Sequence, residues 1–556
     1  MIGKRSAQTD LFDVGNVYNL ALDPRSFHAQ LACAAPRLFK DEDFESLYDQ
    51  KQGRPSVPPS QLALLVLLQF HSQTSDQETI ERSAYDARWC AVLRRPIGAP
   101  VCAKSTFQLF RAHLLLHEQA NTLFARSLQE AKDAGLLKGS LTALTDTQPM
   151  LGRGAAQDTL NLLGTGILKL ARALAKHQER SLPDFLEAEG LARYHAESIK
   201  GSADIDWSDE AAKNAFLSTV VAEARVLLQS AQGASKPVVE AADLLSALLL
   251  QDIEETPQEP GPPLAAIKEG TAPGRMPSAT DPEVRHGRKS KSHRFKGHKC
   301  AIVVEEASQI ITAVDILAGD APDNTGVLDL IHQSEANTGL PVAQTKADCA
   351  YGDGKTRQSF AEEARTLHAK VPKSVSPKGL LPKSAFTIDL DTGTVTCPAG
   401  QTRSTFTLHP DGSKTYSFGA ACRDCPLRAQ CTTAAGGRSL SVSAHEALLQ
   451  AARSYQQSSQ GRENLRKRVG VEHALARLAW LGIGQARYIG RAKSRFQLMM
   501  AATIANLRRT WNWQAQESRI SGTGPYGASV FGCFAGVFWA FTACLYGFGR
   551  YRRLEA

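Results

Sequence analysis

Three carboxylates stand in settings where they could do chemistry: Asp146 in LTALTDTQPM, Asp348 in VAQTKADCAYGDG and Glu472 in RKRVGVEHALARL. The first two each close a short apolar, β-branched run of the kind that makes a buried strand, and the third lies just inside an amphipathic helix behind a cluster of arginines. Two strand-end aspartates and one helical glutamate can meet in one pocket. Like charges a few ångströms apart cannot all stay ionised unaided, so such a pocket calls for cations. Two hard divalent ions roughly 3.5–4 Å apart, held by carboxylate oxygen, are the usual remedy, and they stabilise both the attacking and the leaving oxygen in phosphoryl transfer.

The elements that must position these acids can be traced along the chain. The first 135 residues read as all-helical: Pro58 and Pro59 ahead of QLALLVLLQF suit a first turn, Ser75 with Glu78 and Ser105 with Gln108 fit capping boxes, and Gly135 suits a helix stop. Residues 140–150 supply a first strand, and residues from about 155 to 254 are helical by their three- and four-residue apolar spacing. The Pro/Gly-rich stretch ETPQEPGPPLAAIKEGTAPGRMPSATDP reads as a mobile linker. HKCAIVVEE and IITAVDILAG then form a hairpin, followed by the helix NTGVLDLIHQSEAN, the strand bearing Asp348, the helix KTRQSFAEEART and a short strand in HAKVPK. One helix from about Asn464 to Trp480 carries Glu472, and another sets Phe496, Met499, Met500, Thr503, Ile504 and Leu507 at steps of three and four as a core stripe. An antiparallel pair followed by strand–helix alternation predicts an α/β class, a mixed sheet flanked by helices. Asp158, Asp315, Asp320 and Asp323 are expected to serve as caps, turn residues or strand residues.

Charge is unevenly spread. The chain has 556 residues with 64 Lys+Arg against 56 Asp+Glu, a modest excess. From Arg285 to Lys299, however, there are seven Lys/Arg and no acid, and from Arg462 to Arg509 eleven against two acids, Glu463 and Glu472. Such clusters have the footprint of phosphate contacts, and they nominate Lys289, Lys296, Arg466, Lys467, Arg468, Arg487, Lys493 and Arg495 for DNA binding. Arg468 and His473 flank Glu472 and are expected to bind phosphate or orient that glutamate.

With no secretory signal at MIGKRSAQTDLF, the eleven cysteines read as free thiols or ligands of a cytoplasmic protein. Cys33, Cys90, Cys102, Cys300 and Cys349 have apolar settings and are expected in the core. Cys397, Cys422, Cys425 and Cys431 lie in a loop-rich segment and form the complement of a structural zinc site. They contain one C-x-x-C pair rather than two, so thiols that only pack a small subdomain are the favoured expectation and zinc the alternative.

TDTQP, the basic FKGHK before a strand, ADCAYGDGKTRQ, and R-x-x-V-E-H followed by ARYIGRAKSRFQLMMAATIANLRR together resemble the DDE transposases of bacterial insertion sequences, from about residue 15 to about 515. GRPSVPPSQLALLVLL and KSTFQLFRAHL resemble their N-terminal domain, and the cysteine-bearing block resembles an insertion found in one branch. The resemblance implies a ribonuclease-H-like core in which Asp146, Asp348 and Glu472 are catalytic and hold two Mg²⁺ (or Mn²⁺) ions. It further implies cleavage and strand transfer on double-stranded DNA, at the element's inverted repeats and a target, by a nucleoid-associated protein that works as a homodimer or larger assembly. The alternative function is an inactive or domesticated DNA-binding relative.

The expected domains are a helical DNA-binding unit at 1–138, a catalytic domain at 139–150 and 286–515, a helical insertion at 151–254, a linker at 255–285, a cysteine-bearing insertion at 378–447 and a tail at 516–556. A helix-turn-helix with Arg111 and His113 is one reading of the first unit; a structural bundle or dimerisation unit is the other. In the tail, ASVFGCFAGVFWAFTACLYGFG has the length of a membrane span, but its glycine content, its isolation and the lack of use for an anchor in a recombinase favour an extension without a membrane role.

Overall fold

The strand that bears Asp146 runs through the middle of a six-stranded mixed sheet. The computed structural model describes residues 1–5, 22–49 and 53–520, apart from positions 118, 234, 259–262, 271, 291, 374–375 and 377–378. The apolar run near the C-terminus lies outside the described residues, among which no helix is long and apolar enough to cross a membrane.

Numbering the elements of this core alone, the strands are β1 (Leu141–Leu151), β2 (Arg285–Arg288), β3 (Arg294–Glu305), β4 (Ile311–Ala318), β5 (Val342–Lys346) and β6 (Thr366–His368). The long strand β3 pairs antiparallel with β1 along one edge, and along the other with β2 by its first residues and with β4 by the rest. On the far side of β1, β5 and then β6 add in parallel. Parallel neighbours need crossovers, supplied by helices α1 (Val327–Thr338) and α2 (Gly354–Glu362). Burial on both faces explains the unbroken apolar runs: Cys300 to Val304 of β3 are all buried. The fold is therefore mixed α/β, as the alternation predicts.

After β6 the chain builds a small unit of two three-stranded sheets, then helices α3 (Glu446–Gln457), α4 (Ser459–Arg466), α5 (Val469–Trp480) and α6 (Arg491–Ile520). Helix α6 lies against β4 and the helix Ala120–Asp133. Its buried Asn506 is zipped to the edge of β4, accepting from the Ile311 N–H and donating to the Ile311 carbonyl, both at 2.8 Å. The N-terminal helices share one continuous apolar core with the sheet, whereas residues 160–279 and the cysteine-bearing unit each have their own.

Several expectations need adjustment. The stretch read as a linker contains strand Leu264–Ile267, which closes a hairpin with Ile253–Thr256; Pro and Gly flanking so short a strand masked it. The Glu472 helix is broken, α4 ending at Arg466 and α5 beginning at Val469. Ser75 caps its helix by accepting from the Glu78 N–H, but Ser105 lies inside a helix that starts at Lys104. Cys33 and Cys349 are exposed rather than buried, Cys349 because the chain leaves the sheet in a 3-10 turn at that point.

Candidate active site

Strand register brings the two aspartates together. Leu144 of β1 pairs in parallel with Lys346 of β5, so Asp146 and Asp348 each lie two residues beyond a matched pair, on the same face and one strand apart. At Asp348 the strand has ended, and its carboxylate accepts from the Ala350 N–H at 2.7 Å, capping a turn that buries Tyr351 below. Glu472 comes from above, on α5. That helix can approach because residue 470 is glycine: a Cβ there would stand 2.8 Å from Leu144 Cδ1 and 2.4 Å from Gln309 Nε2.

Arg468, at the break between α4 and α5, ties the acids together. One guanidinium nitrogen donates to Asp146 Oδ2 at 3.0 Å and the other to Glu472 Oε1 at 2.7 Å. The Asp146 carboxyl is pushed up to about 6, chiefly by burial and further by Asp348 and Asp323, against the pull of the Thr147 N–H and Arg468. Burial and the same three aspartates raise the Tyr351 hydroxyl well above its ordinary range.

Asp323 and Lys299 belong to this neighbourhood; the sequence sets Lys299 in the basic FKGHK block and Asp323 near a turn, with nothing to place either beside Asp146. Asp323 accepts from Thr147 Oγ1 and from Lys299 Nζ, both at 2.8 Å, which fixes the residue next to Asp146. The site therefore holds four acids against two cationic side chains, Arg468 and Lys299. Oxygen donors in this excess suit hard divalent cations. Among the described residues, however, no three acid, imidazole or thiol side chains stand together in metal-binding geometry; here the Arg468 guanidinium pairs with both Asp146 and Glu472.

The basic residues divide into two groups. Arg466, Lys467 and Lys493 are exposed, Lys467 facing Glu463 across one helical turn, and Lys289 and Lys296 are exposed on the β2–β3 hairpin with Arg288 and Arg294. Arg487, nominated for DNA, turns inward instead: it donates to the Thr74 carbonyl and lies over the Phe70 ring. Arg495 is paired with Asp315 at 3.3 Å. Arg111, on a helix of the possible helix-turn-helix, is buried and donates to Gln69 Oε1 at 2.8 Å and Asp76 Oδ2 at 2.6 Å. These inward arginines bind the N-terminal helices to the segment that follows α5.

Cys397, Cys422, Cys425 and Cys431 line one small cavity in the unit between β6 and α3. The Cys431 thiol is raised first by burial and also by the other three, although the nearby Arg438 lowers it.

Two segments of the chain match known families. Residues 396–511 match the family described as Transposase DDE domain, and residues 21–113 match Transposase domain (DUF772). Together the matches indicate a DDE-type transposase of an insertion-sequence family. The first covers the four cysteines and Glu472; Asp146 and Asp348 lie outside both. No curated protein and no solved structure matches the chain.

Proposed function

We propose that this protein cuts and joins DNA at the ends of an insertion sequence, using Asp146, Asp348 and Glu472 in a ribonuclease-H-like core. The observation that carries the reading is the parallel register setting Asp146 beside Asp348, with Arg468 joining Asp146 to Glu472. The three acids would hold divalent cations, which when bound favour ionisation of the attacking hydroxyl and stabilise the leaving 3′ oxygen.

The chain's own residues supply the rest. Arg468 draws Glu472 toward Asp146 and presents a guanidinium suited to a phosphate once those acids are otherwise neutralised. Lys299, itself buried, holds Asp323 against Thr147 and offsets that acid's charge beside the reacting centre. Tyr351, buried beneath the acids, keeps water from their underside. Exposed Arg466, Lys467 and Lys493, with the exposed cations of the β2–β3 hairpin, offer positive charge for a duplex backbone.

A donor plasmid carrying the element's two ends provides the test. Purified protein with Mg²⁺ should generate breaks with 3′-hydroxyls at those ends, and joined products when target DNA is added. Specific retention of the ends without breaks under any divalent cation would instead support the inactive DNA-binding relative.

A further inference from the structure

The unit between Phe386 and Val442 has too little apolar interior for its size. Its buried core consists of Phe386, Val395, Tyr416, Phe418, Leu440 and Val442 with Cys422 and Cys431. Units this small commonly need a metal or disulfides in place of a larger core. All four cysteines here are free thiols.

Local geometry directs them to one place. Cys397 begins a tight turn in which its carbonyl accepts from the Gly400 N–H and its own N–H donates to the Gln401 carbonyl, Gly400 supplying the positive φ of 80°. Cys422 and Cys425 bracket a second turn, and Cys431 ends the short helix that follows. The four side chains line a cavity of about 20 Å³, close to the volume of a single water or ion. No three sulfurs stand in liganding geometry, so an ion would have to draw them inward.

The surroundings favour a negatively charged cluster. The Arg438 N–H points at Cys422 Sγ at 3.4 Å, as amides do toward thiolates. Arg428 and Arg438 also line the cavity, and they hold the carbonyls of Cys422 and Cys431 at 2.8 and 3.3 Å. Arg438 Nε is buried and makes no hydrogen bond. A Zn²⁺ ion with four thiolates carries two net negative charges, which two guanidinium groups balance.

We infer that Cys397, Cys422, Cys425 and Cys431 bind one structural zinc ion that closes this unit. The inference is independent of the catalytic reading. Its structural consequence lies at α3, into which the unit runs directly and whose buried Glu446 is held by Lys383 at 2.8 Å and Arg453 at 2.7 Å.

The full chain, purified without chelators, should contain about one zinc per molecule by mass spectrometry. Exchange into Co²⁺ should give the intense visible bands of tetrahedral thiolate coordination, and Cys425→Ser should lower zinc content severalfold. The four thiols should resist a thiol reagent until a chelator is added, while exposed Cys349 reacts at once. Wild-type protein that contains no zinc when purified without chelators and whose four thiols then react as fast as Cys349, or a cobalt form without thiolate bands, would overturn the inference. Asp146→Asn should keep its zinc, which separates this outcome from any failure of DNA cleavage.

Discussion

Asp146 and Asp348 are neighbours because Leu144 and Lys346 are paired in parallel strands, and each acid follows its paired residue by two. Adjacent strands lie about 4.8 Å apart, so residues at matching positions can act on a single ligand. Small backbone features maintain this arrangement. Gly352, just after the turn that carries Asp348, packs so close to the backbone following β6 that a Cβ would stand 1.9 Å from the Lys370 carbonyl oxygen.

Gly352→Ala should therefore destabilise the protein by about 1–3 kcal/mol through forced backbone movement. Thermal denaturation should show a lower midpoint, and cleavage should fall with it because Asp348 is displaced. An unchanged midpoint would mean that the loop yields without cost.

The Asp76 junction should make stability depend on pH. Burial alone would raise this carboxyl, but hydrogen bonds from Arg111, Gln108 and Gln69 prevail and bring it down to about 2. A carboxylate whose pKa is depressed on folding contributes stability above its unfolded value near 3.9, and that contribution is lost as pH falls toward the folded value. Asp76→Asn should cost on the order of 1–2 kcal/mol at pH 7, discounted for partial solvation, and progressively less between pH 4 and pH 2. Denaturant titration of both proteins across this range checks the slope.

DNA affinity should separate the outward cations from the inward ones. Arg466→Ala with Lys467→Ala should reduce the log–log salt slope of duplex binding by about 1.8, at roughly 0.9 per phosphate contact. Arg111→Ala should leave the slope of the folded protein unchanged while costing about 3 kcal/mol of stability, since it leaves Asp76 without its main cation. Filter binding over a range of salt, paired with melting curves, distinguishes the two effects.

Much of this organisation was legible in the sequence where the signal is local. The apolar runs ending in Asp146 and Asp348 marked strands, and the alternation from NTGVLDLIHQSEAN onward marked the mixed sheet. Long-range pairings were not legible. Arg111 and Arg487 carry the same charge as Arg466, and only folding shows that Gln69, Asp76 and Tyr488 draw the first inward, and Phe70 and the Thr74 carbonyl the second. Asp323 and Lys299 had the look of a turn residue and a strand-end cation, and their place beside Thr147 depends on the partnership of β3 with β1. The sequence suggests that Arg468 binds phosphate or orients Glu472, but its bond to Asp146, 322 positions away, has no sequence signal.

The most direct measurement compares Asp146→Asn, Asp348→Asn and Glu472→Gln with wild type in cleavage of a donor plasmid in Mg²⁺, alongside Asp315→Asn as a control. Each of the first three keeps its side chain's shape but loses the charge, so cleavage should fall at least about a hundredfold while binding to the element's ends persists. Asp315 is half exposed and paired with Arg495, and its amide should cut at close to the wild-type rate. A folded amide variant at Asp146, Asp348 or Glu472 that still cuts near the wild-type rate would contradict the proposed site.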